Sequence, residues 1–205
     1  MNFYDVIAAR HMVRDFSEKP VPPEALERIL GAGLMAPSND HLRNWEFVIL
    51  EGEDKLRALE GVRKFVAGLP ENTLDRWPAG SVQQRMYAHA MPRQYTMLAG
   101  APVVILPFFK ANPAIWNPQA INHLNTLAGV WCCIENILLA AAAEGMGCSL
   151  RIPVGEEGPA LAKQLGVPEG WVLPCYIGLG WSAPEDKRPE QVPAVLQDKL
   201  HKGTW

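Results

Sequence analysis

The sequence predicts a single α+β domain over residues 1–205, in which a sheet is covered by helices. Runs rich in branched and aromatic residues are typical of strands, and segments with apolar residues at helical spacing alternate with them. The composition, 48% hydrophobic and 20% charged over 205 residues, suits one domain with a substantial core. The net charge of -3 gives no global electrostatic reason to bind nucleic acid or an anionic membrane, so we expect neither as a partner.

Two helices are predicted at the start of the chain. The first is short and carries Phe3, Val6 and Ile7 on one face. The second begins at Pro23, because proline in a first turn lacks only an N–H that would have no helical partner. It ends before Pro37, since the residue that precedes a proline disfavours helical backbone.

A polar loop over residues 38–44 leads into a strand, Trp45–Leu50, assigned by its aromatic and branched residues. Residues 53–62 are expected to form a helix. The stretch 67–80 is rich in Gly, Pro and Asn and is interpreted as a loop or lid. Residues 83–98 favour a helix that a proline interrupts.

The second half of the chain contains the most apolar segments, and its longest helix ends at Gly145, a residue type suited to a helix C-terminus. Small residues in that helix are expected to allow close helix packing. The predicted elements are a strand at 102–109, the long helix at 122–144, an extended piece at 148–153, a helix at 159–165, a strand at 171–180 and a final helix at 194–201.

The sequence also bears on cellular context. The apolar stretch Leu127–Ala143 is interrupted by Glu135 and Asn136, so a buried helix is expected there and not a membrane span. No signal-peptide pattern is visible and the 4 cysteines form no C-x-x-C pair, which predicts buried free thiols in the reducing cytoplasm. The histidines lack metal-ligand spacing, and we expect no metal.

Arg10 and Arg14 lie four residues apart at the predicted end of the first helix. Two permanent cations on the same side of a helix end repel each other unless an anion lies between them, and a guanidinium group suits phosphate or carboxylate. The alternative is a solvated surface pair. The loop Ser38–Asn44 has two interpretations that the sequence does not separate, a capped turn and a binding site. Gly178 and Gly180 are interpreted as the end of a strand and not as a dinucleotide-binding loop.

Several short motifs occur in an order that resembles the nitroreductase family of flavoenzymes over nearly the whole chain. Each motif alone is weak, but together they are fairly specific. The motifs are Arg10-His11-Met12-Val13-Arg14-Asp15-Phe16, Ala36-Pro37-Ser38, Asn44-Trp45-Glu46-Phe47, the helix segment from Glu135 to Ala140, Gly145-Met146-Gly147, Ile177-Gly178-Leu179-Gly180 and the late Arg188.

The resemblance implies a nitroreductase-like fold, with a central, mostly antiparallel sheet covered by helices, assembled as an intertwined homodimer. It implies FMN at the dimer interface and ping-pong hydride transfer from NAD(P)H to a small acceptor such as a nitroaromatic, quinone or activated alkene. Arg10, His11 and Arg188 would lie at the FMN phosphate, next to Met12, which replaces the usual serine. Arg14 would polarise the pyrimidine edge of the flavin, and no side chain need act as a catalytic acid or base.

The resemblance implies roles for further positions, where the sequence matches the family motifs less well. Pro37, Ser38 and Asn39 would reach the flavin from the partner subunit, and a backbone N–H of Val154 or Gly155 would approach flavin N5. The substrate could be lined by His41, Arg43 or Trp116, each of which more often has a packing or surface role. Two alternatives remain open: a dehalogenating or flavin-degrading relative on the same fold, and a flavin-binding module without turnover.

Overall fold

The computed structural model describes residues 1–205 and contains a sheet whose pairings are all antiparallel. The strand order is β1-β2-β5-β3, with β4 paired to β2. The strands are β1 Trp45–Leu50, β2 Val103–Lys110, β3 Gly147–Arg151, β4 Trp171–Val172 and β5 Tyr176–Gly180. The helices are α1 Phe3–Ala9, α2 Pro23–Leu34, α3 Gly52–Ala58, α4 Glu60–Ala67, α5 Val82–Ala90, α6 Thr96–Ala99, α7 Asn125–Ala143 and α8 Glu157–Gln164. The predicted α+β class is therefore confirmed.

Strand β2 is the centre of the core because both of its faces are covered. Val103 and Ile105 contribute to a cluster that includes α2 and α7. Val104 and Leu106 point the other way, into a cluster that includes α4 and α8. A strand buried on both faces has a continuous apolar sequence, which explains why it was easy to identify.

Helix α7 passes the length and composition test for a membrane span over Ile121–Ala143. In this fold it is a core helix, with Ile134 and Ile137 almost fully buried. It packs closely on α2 at Gly33, where an added Cβ would lie 2.8 Å from Cγ1 of Ile137. At this contact the small residue is Gly33 on α2.

Several predicted boundaries need correction. The helix expected at 53–62 is two helices, α3 and α4, because the chain turns at the buried Leu59. The strand expected at 171–180 is divided at Leu173–Cys175, where Pro174 supplies no ladder N–H. The helix expected at 194–201 is only a 3-10 turn, Leu196–Lys199. The interruption predicted near Pro92 is confirmed, since α5 ends before it and α6 begins after it.

The sequence pattern predicts Arg10 and Arg14 on the same side of a helix end, and the structure shows that this prediction is wrong. Helix α1 ends at Ala9, and Arg14 lies in an extended segment whose Met12 forms a bridge with Cys148 of β3. In extended chain, residues two apart face the same side, so Met12 and Arg14 point together while Val13 points into the core.

Gly147 allows the extended segment that contains Met12 and Val13 to pack against β3. A Cβ at Gly147 would lie 2.2 Å from Cγ2 of Val13, so any larger residue would displace the extended segment. The amide of Val13 donates to the Cys148 carbonyl at 2.9 Å. The segment is then closed at its far end by a bridge between Phe16 and Ser182. Both ends of the chain are thereby brought to one edge of the sheet.

One apolar face has no partner within the chain. Phe3 and Ile7 of α1 are 65% and 45% exposed, although Val6 between them is buried. Apolar side chains of the C-terminal tail are also exposed, namely Val195, Leu196, Leu200 and Trp205.

Candidate functional site

Two cavities meet beside the extended segment and form one cleft. The smaller has a volume of about 120 Å³ and the larger about 550 Å³, and Arg14 and Met86 line both. The smaller is also lined by Arg10, His11, Met12, Arg188, Pro189 and Gln191. The larger is also lined by Phe65, Arg76, Tyr87, Ala90, Met91, Gln94, Met97, Leu150, Arg151, Ile152 and Val154. No acidic residue lines either cavity, so the cleft attracts anions despite the negative net charge of the chain.

The smaller cavity is the cationic end. Arg10 has one distant ion pair, with its Nε 3.7 Å from Oε1 of the exposed Glu135. The Nδ1 atom of His11 lies 2.9 Å from the Ala9 carbonyl oxygen, which holds the ring at the end of α1. Arg188 comes from the C-terminal segment, 178 positions later than Arg10 in the chain. The predicted grouping of these residues with Met12 and Arg14 is present in the structure.

Asp186 fastens the C-terminal segment to this end. Its Oδ1 atom accepts the backbone N–H groups of Arg14 at 2.9 Å and Asp15 at 3.1 Å. Its Oδ2 atom accepts the Ser182 hydroxyl at 3.2 Å and lies 3.6 Å from Nε2 of His11. The Asp186 side chain is only 3% exposed, so this anchor is shielded from water. The anchor fixes the chain two residues before Arg188.

Arg14 is a partly buried cation without a full set of partners. Its Nε atom is inaccessible to solvent and has no hydrogen-bond acceptor. Burial lowers the pKa of Arg14 from its usual value, while the nearby Asp186 opposes that effect. An arginine still remains protonated at neutral pH, so the site carries a cation that needs an acceptor. An anionic or electron-rich ligand would supply one.

The unpaired arginines of the whole chain coincide with this cleft. Arg14, Arg76 and Arg188 have no ion pair and no side-chain hydrogen bond, and all three line it. Every other arginine pairs with a carboxylate or donates a side-chain hydrogen bond. Arg76 and Arg188 are exposed and solvated, but Arg14 has a buried donor without an acceptor, so the meeting of all three at one cleft favours an anionic ligand there.

The larger cavity is mostly apolar and includes residues that the sequence analysis missed. Arg151 on β3 is almost fully buried and donates from Nε to Oε1 of Gln94 at 3.0 Å. Tyr87 and Met86 project from α5. These positions fall in or against the 63–94 region, where the resemblance supplied no motif. A buried charge in a strand, at Arg151, was the one signal available in the sequence.

The loop Ser38–Asn44 lies away from the cleft of its own chain and lines a separate, small cavity. Its backbone is strained: Asp40, His41 and Arg43 have φ values of 52°, 54° and 44°, in the left-handed region that L-residues rarely adopt. Arg43 is held internally, with its amide donating to Oγ of Ser38 at 3.1 Å and its Nε to the Leu34 carbonyl at 3.0 Å. Pro37 and Asn39 lie on the same loop and are exposed.

Val154 lines the apolar end of the cleft, but Gly155 turns away from it. Gly155 and Trp116 line a further cavity of about 550 Å³ on the other side of the Ile152–Gly155 segment. The Trp116 side chain is 71% exposed. Trp116 therefore lies near the segment expected to face a flavin, while His41 and Arg43 do not.

All four cysteines are free thiols, and Cys133, Cys148 and Cys175 are buried, which raises the pKa of the Cys148 thiol to about 12. Such thiols are inert as nucleophiles. No group of three or more His, Cys, Asp or Glu side chains is arranged to hold a metal ion.

Comparison with known proteins identifies the chain. A model of the nitroreductase family matches residues 7–181. The chain belongs to the nitroreductase family. Members of the nitroreductase family are oxidoreductases, and the antiparallel sheet with its flanking helices is the fold expected for one.

Individual relatives of this nitroreductase-family chain are distant. It is 24% identical over 216 residues to a nitrobenzene nitroreductase of Ectopseudomonas oleovorans, covering 98% of this chain and 94% of that one. A mutant of an FMN and NADPH-dependent nitroreductase from Sphigopyxis sp. strain HMH has the same fold, with a TM-score of 0.77, 19% identity and full coverage of both chains. An iodotyrosine deiodinase bound to FMN and 3-iodo-L-tyrosine gives a TM-score of 0.74 at 20% identity, covering 99% and 100% of the two chains.

Proposed function

We propose that this protein is an FMN-dependent oxidoreductase that works by ping-pong hydride transfer from NAD(P)H, through bound FMN, to a small acceptor. The observation that carries the proposal is the convergence of unpaired arginines on one cleft with a cationic end and an apolar end. FMN has that same polarity, with a dianionic phosphate at one end and an aromatic ring system at the other. The family membership and the FMN-containing neighbours of the same fold support it.

The residues of the smaller cavity fit a phosphate. Arg10 and Arg188 would pair with it, because forked cations form the strongest charge-assisted hydrogen bonds to phosphate oxygens. His11 would add a ring or backbone contact, and Met12 offers no hydroxyl to the phosphate. The unpaired Nε of Arg14 is the orphaned buried donor that a bound cofactor would satisfy.

When bound, FMN supplies the electron-transfer chemistry, and the protein positions and polarises it. Arg14 would face the pyrimidine edge, where a cation favours the negative charge that reduction adds. The Val154–Gly155 segment would contact the ring. Its Val154 N–H already donates to Oε2 of Glu157 at 3.0 Å, which orders the segment in advance, so the N–H that would face flavin N5 is that of Gly155.

A homodimer completes the proposal. The unpartnered apolar face of α1 and the exposed apolar tail give a second copy of the chain a surface to cover. Pro37, Ser38 and Asn39 lie outside the cleft of their own chain, as residues that serve a partner's flavin would. Trp116 could then line the acceptor site, with His41 and Arg43 contributed by the partner subunit's loop. Buried, unpaired thiols suit a cytoplasmic location.

Nitroaromatics, quinones and activated alkenes are the acceptors to test first. A second candidate, reductive dehalogenation, is favoured by the 25% identity to an iodotyrosine deiodinase of Pongo abelii over 194 residues, although the chain spans only 64% of that protein. Release of iodide from 3-iodotyrosine, measured beside nitro-group reduction, would separate the two activities.

The deciding experiment is spectroscopic. Purified protein is expected to show the absorbance of oxidised FMN and to lose it on anaerobic addition of NADH or NADPH, with recovery when an acceptor is added. Protein that is colourless and does not bind added FMN would refute the proposal. Protein that holds FMN but oxidises no NAD(P)H with any acceptor would be a flavin-binding module without turnover.

A further inference from the structure

Arg76 is the free cation at the apolar end of the cleft. Of the other two arginines that line the larger cavity, Arg151 is paired with Glu157, and Arg14 lies at the junction with the cationic end. Arg76 comes from a 3-10 turn, Glu71–Arg76, in the segment interpreted from sequence as a lid. Arg76 is exposed and pairs with no carboxylate, so the fold makes no ion pair with its charge.

An aromatic stack supports the Arg76 side chain. Its guanidinium carbon lies 4.4 Å from the centre of the Trp77 ring. The Trp77 ring stacks on Tyr87, with 3.9 Å between centroids and 18° between planes. A guanidinium packed on an aromatic ring keeps its N–H donors available, and these match both oxygens of a carboxylate.

The surroundings of Arg76 define the remainder of the ligand. Phe65, Met86 and Met91 give the cavity an apolar lining, and Tyr87 offers an aromatic edge or face. Such a site favours a flat, apolar body with a single anionic group at one end. Arg76 is exposed, so with a neutral aromatic bound its donors would have water as their only partner, whereas a carboxylate would pair with them.

We infer that the acceptor is an aromatic carboxylate and that Arg76 is the residue that selects it. The reduction of this acceptor rests on the proposed function, whereas the binding of its carboxylate by Arg76 does not. A carboxylate fits better than the 2′-phosphate of NADPH, because a phosphate dianion calls for several cations. The opposite end of the cleft supplies such a cluster and this end supplies one guanidinium.

Binding can be tested without turnover, on the protein as purified. Benzoate and benzamide are nearly isosteric and differ in charge, and neither is reducible at a nitro group. We expect benzoate to bind about tenfold more tightly than benzamide, by calorimetry or quenching of tryptophan fluorescence, a preference typical of one charge-assisted pair. Arg76→Gln should remove that preference, and Arg76→Lys should restore part of it.

A matched control distinguishes the loss of a local binding site from the effect of a change in net charge. Arg57→Gln removes one positive charge from α3, where Arg57 pairs with Asp54 outside the cleft, and should keep the wild-type preference. Equal affinities for benzoate and benzamide in the wild type would overturn the inference. So would equal losses of benzoate affinity in the Arg76 and Arg57 variants.

Turnover gives the second arm, with 4-nitrobenzoate and 4-nitrobenzamide as acceptors. Arg76→Gln should raise the KM for 4-nitrobenzoate by about tenfold and leave 4-nitrobenzamide and kcat nearly unchanged. A larger effect on the KM for NADPH than for NADH, with no effect on 4-nitrobenzoate, would assign Arg76 to the reductant and overturn the inference. Benzoate binding that depends on Arg76, in a protein that reduces no acceptor, would refute only the proposed function.

Discussion

Glu157 holds Arg151 with both carboxylate oxygens: Oε2 lies 2.5 Å from Nη1, and Oε1 lies 2.7 Å from Nη2. The two side chains are 1% and 9% exposed. Because Oε2 also accepts the Val154 N–H and Arg151 also donates to Gln94, one buried pair joins β3, the start of α8 and the segment after α5. This pair lies under the apolar end of the cleft.

Breaking that pair should destabilise the protein strongly. Glu157→Ala leaves a buried guanidinium without its anion, and we expect the free energy of unfolding to fall by about 3–5 kcal/mol in urea titrations. Glu60→Ala is the matched control, since Glu60 pairs with Arg63 on the exposed surface of α4, and it should change stability little. The double variant Arg151→Met, Glu157→Leu should recover most of the loss. Equal effects of Glu157→Ala and Glu60→Ala would contradict a structural role for the pair.

The anchor at Asp186 leads to a prediction for cofactor affinity. Asp186→Ala removes the acceptor of two backbone N–H groups and should cost about 2 kcal/mol of stability. It should also weaken FMN binding about tenfold, by releasing the segment that carries Arg188. Asp186→Asn keeps one carbonyl oxygen and should lie closer to wild type, and Glu185→Ala, at an exposed neighbour, should change neither quantity. Fluorescence titration of FMN measures the affinities, and an unchanged value for Asp186→Ala would show that the anchor does not position Arg188.

The elements that the sequence predicted well are those with a strong local signal. Strand β2 is buried on both faces, so its apolar run is unbroken, and α7 is long and ends at Ala143, two residues before Gly145. Boundaries failed where tertiary packing decided them. The chain turns at Leu59 because that side chain enters the core, and no local pattern marks the break between α3 and α4.

The candidate site divides in the same way. Arg10, Arg14 and Arg188 line one cavity, as the family resemblance implies, because the order of motifs along the chain carries long-range information that spacing does not. Arg76 and Tyr87 were missed because they are brought to the cleft only by the packing of the 3-10 turn and α5. Their neighbours in sequence resemble an ordinary polar loop and a surface helix.

Arg14 is expected to lower the stability of the FMN-free protein and to favour the binding of FMN. Without FMN, Arg14→Met removes a partly buried guanidinium whose Nε atom has no acceptor, and should raise the free energy of unfolding by about 1 kcal/mol. The same variant should gain less stability when FMN is added, and its bound flavin should have a lower midpoint potential. Thermal unfolding with and without FMN, and a redox titration, measure these quantities. A variant that is less stable without FMN and keeps the wild-type potential would refute this role.

Arg10→Ala is the comparison for that experiment. Arg10 is half-buried and its only ion pair is long, so its loss should leave the cofactor-free protein nearly as stable as wild type. It should weaken FMN binding by about 1.5–3 kcal/mol, the range for a charge-assisted hydrogen bond. The opposite result, lost stability without lost affinity, would assign Arg10 to the fold and not to the phosphate.

Backbone strain in the Ser38–Asn44 loop can be measured directly. His41 has a φ of 54°, and a non-glycine residue there costs about 1–2 kcal/mol. His41→Gly should therefore stabilise the protein, by about 0.5–1 kcal/mol after the entropy cost of glycine in the unfolded chain. Leu42→Gly is the matched control: Leu42 has a φ of -70°, so glycine there should destabilise. Destabilisation by both substitutions would mean that the loop is not strained at His41.

His89 makes stability depend on pH in a predictable direction. Its Nε2 atom is buried without a partner. Burial lowers the pKa of His89 below its ordinary value of 6.5, and the cations of Arg93 and Arg14 act in the same direction, while Asp15 and Asp186 oppose them. The unfolded chain therefore binds a proton at a higher pH than the folded protein does. Stability from this group is complete above pH 6.5 and is lost as the pH falls through the lowered pKa.

His89→Gln isolates that contribution, because carboxylates that titrate in the same range remain in both proteins and cancel in the comparison. Unfolding free energies measured at pH 8 and pH 5 should fall less in the variant than in the wild type. His201→Gln, in the exposed C-terminal tail, removes a histidine elsewhere and should keep the wild-type difference. A larger fall in the His89 variant would mean that the folded protein favours the charged imidazole. The nearby Asp15 and Asp186 would then outweigh Arg14 and Arg93, and the cationic character assigned to this end of the cleft would be overstated.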